Sequence, residues 1–228
     1  MSDASPLEQR LALLFTPRAA HAGVLALDTV LEEIGASLEP TLNHTVAHTR
    51  LVWWREEVAR LQRGAPLHPA TRALLAAAPR VPFTPLDQLI TAAEFQLAGH
   101  QPADLDERSR YFARIYGAPE ALRAAVILGA PDARLEAFGH ALGEVLGLAG
   151  CVEAALLDDR RTEATRLRAA LTRLRPSADL AHCERHGLIR ANFIAHRLTD
   201  SGLAPPPGAL RSLTLAWRCA RRHRLEFR

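Results

Sequence analysis

Glu32 and Glu33 stand side by side in the stretch VLALDTVLEEIGASL. Adjacent carboxylates offer the hard oxygen ligands that a divalent cation such as Mg²⁺ accepts. The competing reading is an exposed acidic patch on an amphipathic helix. His44 and His48 lie one turn apart, as do His182 and His186 with Cys183 between them. That spacing supplies two zinc ligands, but no third or fourth accompanies either pair, so helix packing or surface exposure is the expected role. The run DDRR at 158–161 reads as salt-bridged surface on an arginine-rich helix. For nucleophilic catalysis there is no Gly-x-Ser-x-Gly elbow, and no cysteine sits beside an electropositive helix start. All 28 basic residues are arginine, so no lysine exists for a Schiff base or a P-loop.

The elements that must position these groups are helical. The apolar 48% of the 228 residues is mostly Ala and Leu, and aromatic residues make up only 5%. That is the composition of an all-α chain, and its length suits one substantial core spanning 1–228. A net charge of +3 is too small to argue for nucleic acid. Three scattered cysteines without CxxC spacing fit a reduced, intracellular protein. No long uninterrupted apolar run and no basic leader are visible, so a cytoplasmic location is expected, with peripheral membrane contact left open.

Proline and glycine punctuate the helical periodicity. One stripe runs from Pro6 through Leu7, Leu11, Leu14 and Phe15 to Pro17, and a second through Val24, Leu27, Leu31, Ile34 and Leu38 to Pro40. A third helix, Thr41 to about Gln62, has Leu42, Val46, Thr49, Trp53 and Leu61 toward its buried side and stops at Gly64 and Pro66. Further helices are expected over 69–78, 85–97, 105–116 and 119–128, then from an Asp132 N-cap through Leu146. The remaining ones are 151–175, a segment through Phe193, and a last helix from about Ala209, preceded by the Pro-rich hinge SGLAPPPG at 201–208. No strand alternation is found. About nine or ten helices in one domain make an antiparallel helical barrel or bundle.

Trp53 and Trp54 are neighbours, so they point about 100° apart and their helix must be covered over a wide arc. Their surroundings, RLVWWREEVARLQRGAPLHPATRALL, resemble the Arg-Leu-x-x-Trp-Arg helix and Gly-x-Pro, His-Pro turn of the squalene/phytoene synthase family, at Arg50, Leu51, Trp54, Arg55, Gly64, Pro66, His68 and Pro69. Two other stretches are similar to that family. VLALDTVLEEIGASL sits where its first Asp-rich helix would be, and FGHALGEVLGLAG matches its second motif at Gly139 and Ala141. The resemblance implies an isoprenoid synthase-type fold. It implies a head-to-head condensation of prenyl diphosphates held by Mg²⁺ between two Asp-rich motifs.

The departures lie in those motifs. Glu32 and Glu33 fall on the paired aspartates and Ala36 on the final one; Gly143, Leu146, Ala149 and Gly150 fall on the Gln, Asn and Arg-Asp of the second motif. The pattern is similar to the non-catalytic branch of the family, of which a respiratory complex I assembly factor is the known example. The first expectation is therefore a catalytically degenerate family protein, a pseudoenzyme that serves as an isoprenoid- or lipid-binding or protein-assembly scaffold. The alternative is an active, Mg²⁺-dependent prenyltransferase. It would use Glu32 and Glu33 on the metal, Arg50 and Arg55 on phosphate through their planar forks, and Trp53 and Trp54 on the prenyl tail. Acidic groups facing Glu32 from another helix, such as Glu144 or Glu153, would favour activity. A generic helical interaction protein is a third reading, with a filled core where both family readings expect a tapered apolar pocket.

The last helix, from about Ala209, gathers Arg211, Arg218, Arg221, Arg222, Arg224 and Arg228 against a single Glu226, with Leu210, Leu213, Leu215, Trp217 and Leu225 as apolar partners. Such a helix lies on an anionic membrane or in a partner's acidic groove, unless the arginines simply solvate a packed terminal helix.

Overall fold

The computed structural model describes residues 6–225, and Glu226 and Arg228 lie outside the described residues. Among them the helices are α1 (Pro6–Leu14), α2 (His21–Gly35), α3 (His44–Gln62), α4 (Pro69–Ala77), α5 (Thr84–Leu97), α6 (Leu105–Phe112), α7 (Ala118–Leu128), α8 (Ala133–Ala154), α9 (Leu157–Arg173), α10 (Ala181–Arg197) and α11 (Ala209–Arg222). This is an all-α architecture of the isoprenoid synthase type. Short polar side chains start several helices: Asn43 accepts from the Thr45 amide at 2.9 Å, Asp104 from Glu107 at 2.7 Å and Asp132 from Arg134 at 2.8 Å. Gly129, at φ 79°, ends α7 in the left-handed conformation that a side chain resists.

Three local features differ from the periodicity reading. The helix expected to begin at Cys151 does not begin there, because α8 runs on to Ala154 and α9 starts at Leu157. Within 198–203 a two-residue antiparallel pairing of Leu198 with Leu203 and Thr199 with Gly202 folds the chain back before the prolines. Helices α6 and α7 are joined without a break by a π turn, Ala113–Gly117. Pattern reading misses that turn because one extra residue per turn leaves both flanking periodicities intact.

Helix α8 is the axis of the packing. Helices α2, α3, α4, α5 and α7 enclose one apolar cluster that includes Leu27, Ile34, Leu51, Trp54 and Leu86. Helices α1, α8, α9, α10 and α11 enclose a second one that includes Leu142, Val145, Leu167 and Phe193. Tyr111 and Tyr116, on the run through the π turn, pack against both. Among the described residues α8 is also the helix long and apolar enough to cross a membrane, yet 61% of its apolar window is buried inside the fold.

A glycine stripe lets α8 approach this run. Gly139, Gly143 and Gly147 are spaced four apart, so they lie on one face. A Cβ on Gly139 would meet the Ala121 backbone at 2.5 Å, one on Gly143 the Gly117 backbone at 2.4 Å, and one on Gly147 the Phe112 ring at 2.3 Å. Backbone thus rests on backbone from Gly139 to Gly143, one turn of α8, and on the Phe112 ring a turn later. Gly143→Ala should therefore cost about 1–3 kcal/mol through overpacking. Gly150→Ala, whose Cβ meets nothing within 4 Å, should be neutral or gain up to about 1 kcal/mol from helix propensity. Urea unfolding of the two variants checks this contrast.

Candidate functional site

Helices α1, α2, α5, α7, α8 and α10 converge on one recess. Asp28, Leu31 and Glu32 of α2 line it, with Glu120 and Arg123 of α7, Leu146 of α8 and Arg190 of α10. The space they leave is about 90 Å³, against roughly 300–1,000 Å³ for pockets that hold drug-sized ligands. Larger recesses of about 490 and 460 Å³ lie beside Arg110, Arg114 and His140, and beside Arg160 and the 198–203 turn. No α2 residue lines either.

A buried ion network fills the convergence. Arg123 donates to Asp28 at 2.6 Å and to Glu120 at 2.5 Å, and Arg190 donates to the same Glu120 oxygen. Side chains of Arg123 and Glu120 are only 7% and 5% exposed. Burial pushes the Glu120 carboxyl up, but Arg123 and then Arg190 more than reverse this and hold it at about 2. Arg123 is correspondingly raised; burial opposes its charge, and Asp28 and Glu120 outweigh that. His186, on α10 beside this network, is pushed well below its ordinary value, first by burial and then by Arg123.

Glu32 faces this space, whereas Glu33 turns away and pairs with Arg50 of α3 at 3.6 Å. Adjacent residues on a helix diverge by about 100°, so the two carboxylates do not converge. The residue that shares Glu32's face is Asp28, one turn earlier. Glu120 is a carboxylate facing α2 from another helix, and both of its guanidinium partners reach the cavity side. Glu144 pairs instead with Arg173 at 2.9 Å and Glu153 with Arg197 at 2.8 Å. On the second-motif helix Gly139 and Gly143 are spent on packing, Ala141 is partly buried against the α8 cluster, and Leu146 is what the helix presents to the cavity. Among the described residues no group of three or more His, Cys, Asp or Glu side chains is placed to hold a metal ion.

None of Arg50, Arg55, Trp53 and Trp54 is among the side chains lining the cavity. Arg55 pairs with Glu94 of α5 at 2.6 Å. Trp54 is buried, and Trp53, expected toward the inside, is 40% exposed. The two rings meet edge to face at 5.1 Å, and each contacts His68. Beneath them, Glu57 organises the turn. Its carboxylate accepts from the Leu67 and His68 amides at 2.9 and 2.8 Å, from Thr71 Oγ1 at 2.5 Å and from Arg60 at 2.9 Å. Burial pushes this carboxyl up, and the hydrogen bonds from Thr71, His68 and Arg60 bring it below its ordinary value. The Trp-Trp and His-Pro stretch is thus a clamp joining α3 to α4.

His44 and His48 are both exposed, whereas His182 is exposed and Cys183 and His186 are buried, so the second pair does not converge. The Cys183 thiol is pushed up to about 11, chiefly by burial. In the 158–161 run the side chain of Asp158 lies outside the described residues, Asp159 is exposed, and Arg160 donates to the Ala155 carbonyl at 2.9 Å.

The network sets a two-stage response to acid. His186 stays neutral in the fold while the unfolded chain takes up a proton below about pH 6.5, so its contribution is complete above that value and declines below it. Glu120, depressed from 4.5 to about 2, contributes fully above its unfolded value and loses its contribution as pH falls toward 2. His186→Gln should flatten the first stage. Glu120→Gln should lower the neutral plateau by about 3–5 kcal/mol, because it leaves two buried guanidinium groups to one carboxylate, and should remove the second stage. Urea unfolding at a series of pH values reads both.

The sequence model described as squalene/phytoene synthase matches residues 8–164. No curated protein and no solved structure matches the chain. The matched span includes α2, the α3–α4 clamp, the π turn and the whole of α8. On that match, over more than half its length, the chain belongs to the squalene/phytoene synthase family.

Proposed function

We propose that this chain is a catalytically degenerate member of its family, a cytoplasmic scaffold for protein assembly, akin to the branch that contains the respiratory complex I assembly factor. The observation that carries the reading is the charge lining the α2-facing recess. Where the family readings expect a tapered apolar pocket there is a space of about 90 Å³. In it Asp28 and Glu120 are paired with Arg123 and Arg190 of the same chain, and Glu32 is a further carboxylate. A prenyl diphosphate needs an apolar channel for its tail and metal ions that neutralise the leaving group. Asp28 and Glu120 are instead bound by Arg123 and Arg190, and Leu146 offers no oxygen. The retained fold is then useful for its surface. Helix α3 exposes Val46, Val52 and Trp53, with Leu67 beyond the turn, apolar side chains that a protein partner could cover.

Calorimetric titration with farnesyl and geranylgeranyl diphosphate, with and without Mg²⁺, tests the reading when paired with a pyrophosphate assay. The expected result is no Mg²⁺-dependent binding and no pyrophosphate. Mg²⁺-dependent binding with pyrophosphate release, abolished by Glu32→Gln, would establish a divergent prenyltransferase in its place.

A further inference from the structure

Helix α11 has two apolar faces, and only one is used by the fold. Ser212, Leu215, Ala216 and Cys219 are buried, and the helix packs principally on α10 and α1. At about 100° per residue, Leu210, Leu213 and Trp217 fall on the opposite side. They are 81%, 43% and 48% exposed. Three large apolar side chains at i, i+3 and i+7 form a continuous stripe along the helix.

Charge frames the stripe. Arg221 carries its guanidinium 5.0 Å from the centre of the Trp217 ring, which fixes a cation beside the apolar row. Arg211, Arg218 and Arg222 form an exposed column between the outer stripe and the packed face, and Arg224 follows, also exposed. Helix α11 itself contains no acidic residue. A leucine and tryptophan row bordered by arginines matches the interface of a bilayer. There the apolar row enters the acyl boundary, the indole sits at headgroup level and guanidinium groups meet phosphate and carboxylate. An acidic protein groove would explain the arginines, but not a tryptophan and two leucines aligned on the face turned away from the fold.

We propose that the outer face of α11 docks on an anionic phospholipid bilayer, with Leu210, Leu213 and Trp217 inserted and the arginines on the headgroups. The surface lies outside the central cavity and does not depend on whether the family chemistry survives.

Co-sedimentation of the full chain with vesicles tests this, using phosphatidylcholine alone and phosphatidylcholine with about 30% phosphatidylserine. Binding is expected to the anionic vesicles only and to fall steeply with added salt. Leu210→Ser/Leu213→Ser/Trp217→Ser should abolish it. Arg211→Gln/Arg221→Gln should weaken it by about fivefold per arginine, on the order of 30-fold for the pair. All the substituted side chains are exposed, and unchanged circular dichroism and thermal unfolding will show that the fold is kept. Tryptophan emission should shift to the blue on anionic vesicles and lose that shift in Trp217→Phe. Absence of binding, equal binding to neutral vesicles, or binding that survives both sets of substitutions would overturn the proposal.

Discussion

Arg123 is the residue around which the interior is arranged. A guanidinium at 7% exposure cannot be left without counter-charge, because an isolated buried ion costs many kcal/mol. Asp28 on α2 and Glu120 on α7 supply that charge, and Arg190 on α10 balances the surplus. Three helices from distant parts of the chain must therefore meet at one point. Once they meet, little volume remains between them. These four charges balance one another, and Glu32 lines the same space as a further carboxylate.

The close seating of α8 rests on its glycines. A helix with ordinary side chains sits about 8–10 Å from its neighbour, axis to axis. Where glycines face backbone, as Gly139 and Gly143 face Ala121 and Gly117, the separation shrinks. Leu146 of the same helix lines the recess beside the ion network. On this helix Gly139 and Gly143 serve the packing of backbone against backbone.

The helical class, the stops at proline and glycine and the Asp132 cap were all legible, since each is a local property of the chain. The network was not, because its hydrogen bonds join residues 95 and 70 positions apart. Signals existed nonetheless. Asp28 and Glu32 are four apart and share a face, whereas Glu32 and Glu33 cannot. Glu120 and Arg123 stand in an otherwise apolar run, PEALRAAVIL, where a charged pair three apart is best explained by burial. Glu57 was overlooked for the opposite reason: in an arginine- and glutamate-rich helix it looks like solvated surface, and only the turn that follows shows that its carboxylate faces inward.

The π turn at Ala113–Gly117 is in effect a phase shifter. One residue more than an α-helical turn requires rotates everything downstream by about 100° relative to everything upstream. Tyr111 and Phe112 before it face the aromatic and glycine contacts, while Glu120 and Arg123 after it face the ion network. A continuous α-helix of the same sequence could not satisfy both faces at once. The polarity of the interior, and with it the difference between a charged plug and an apolar channel, is therefore encoded in backbone winding as much as in the identity of any side chain.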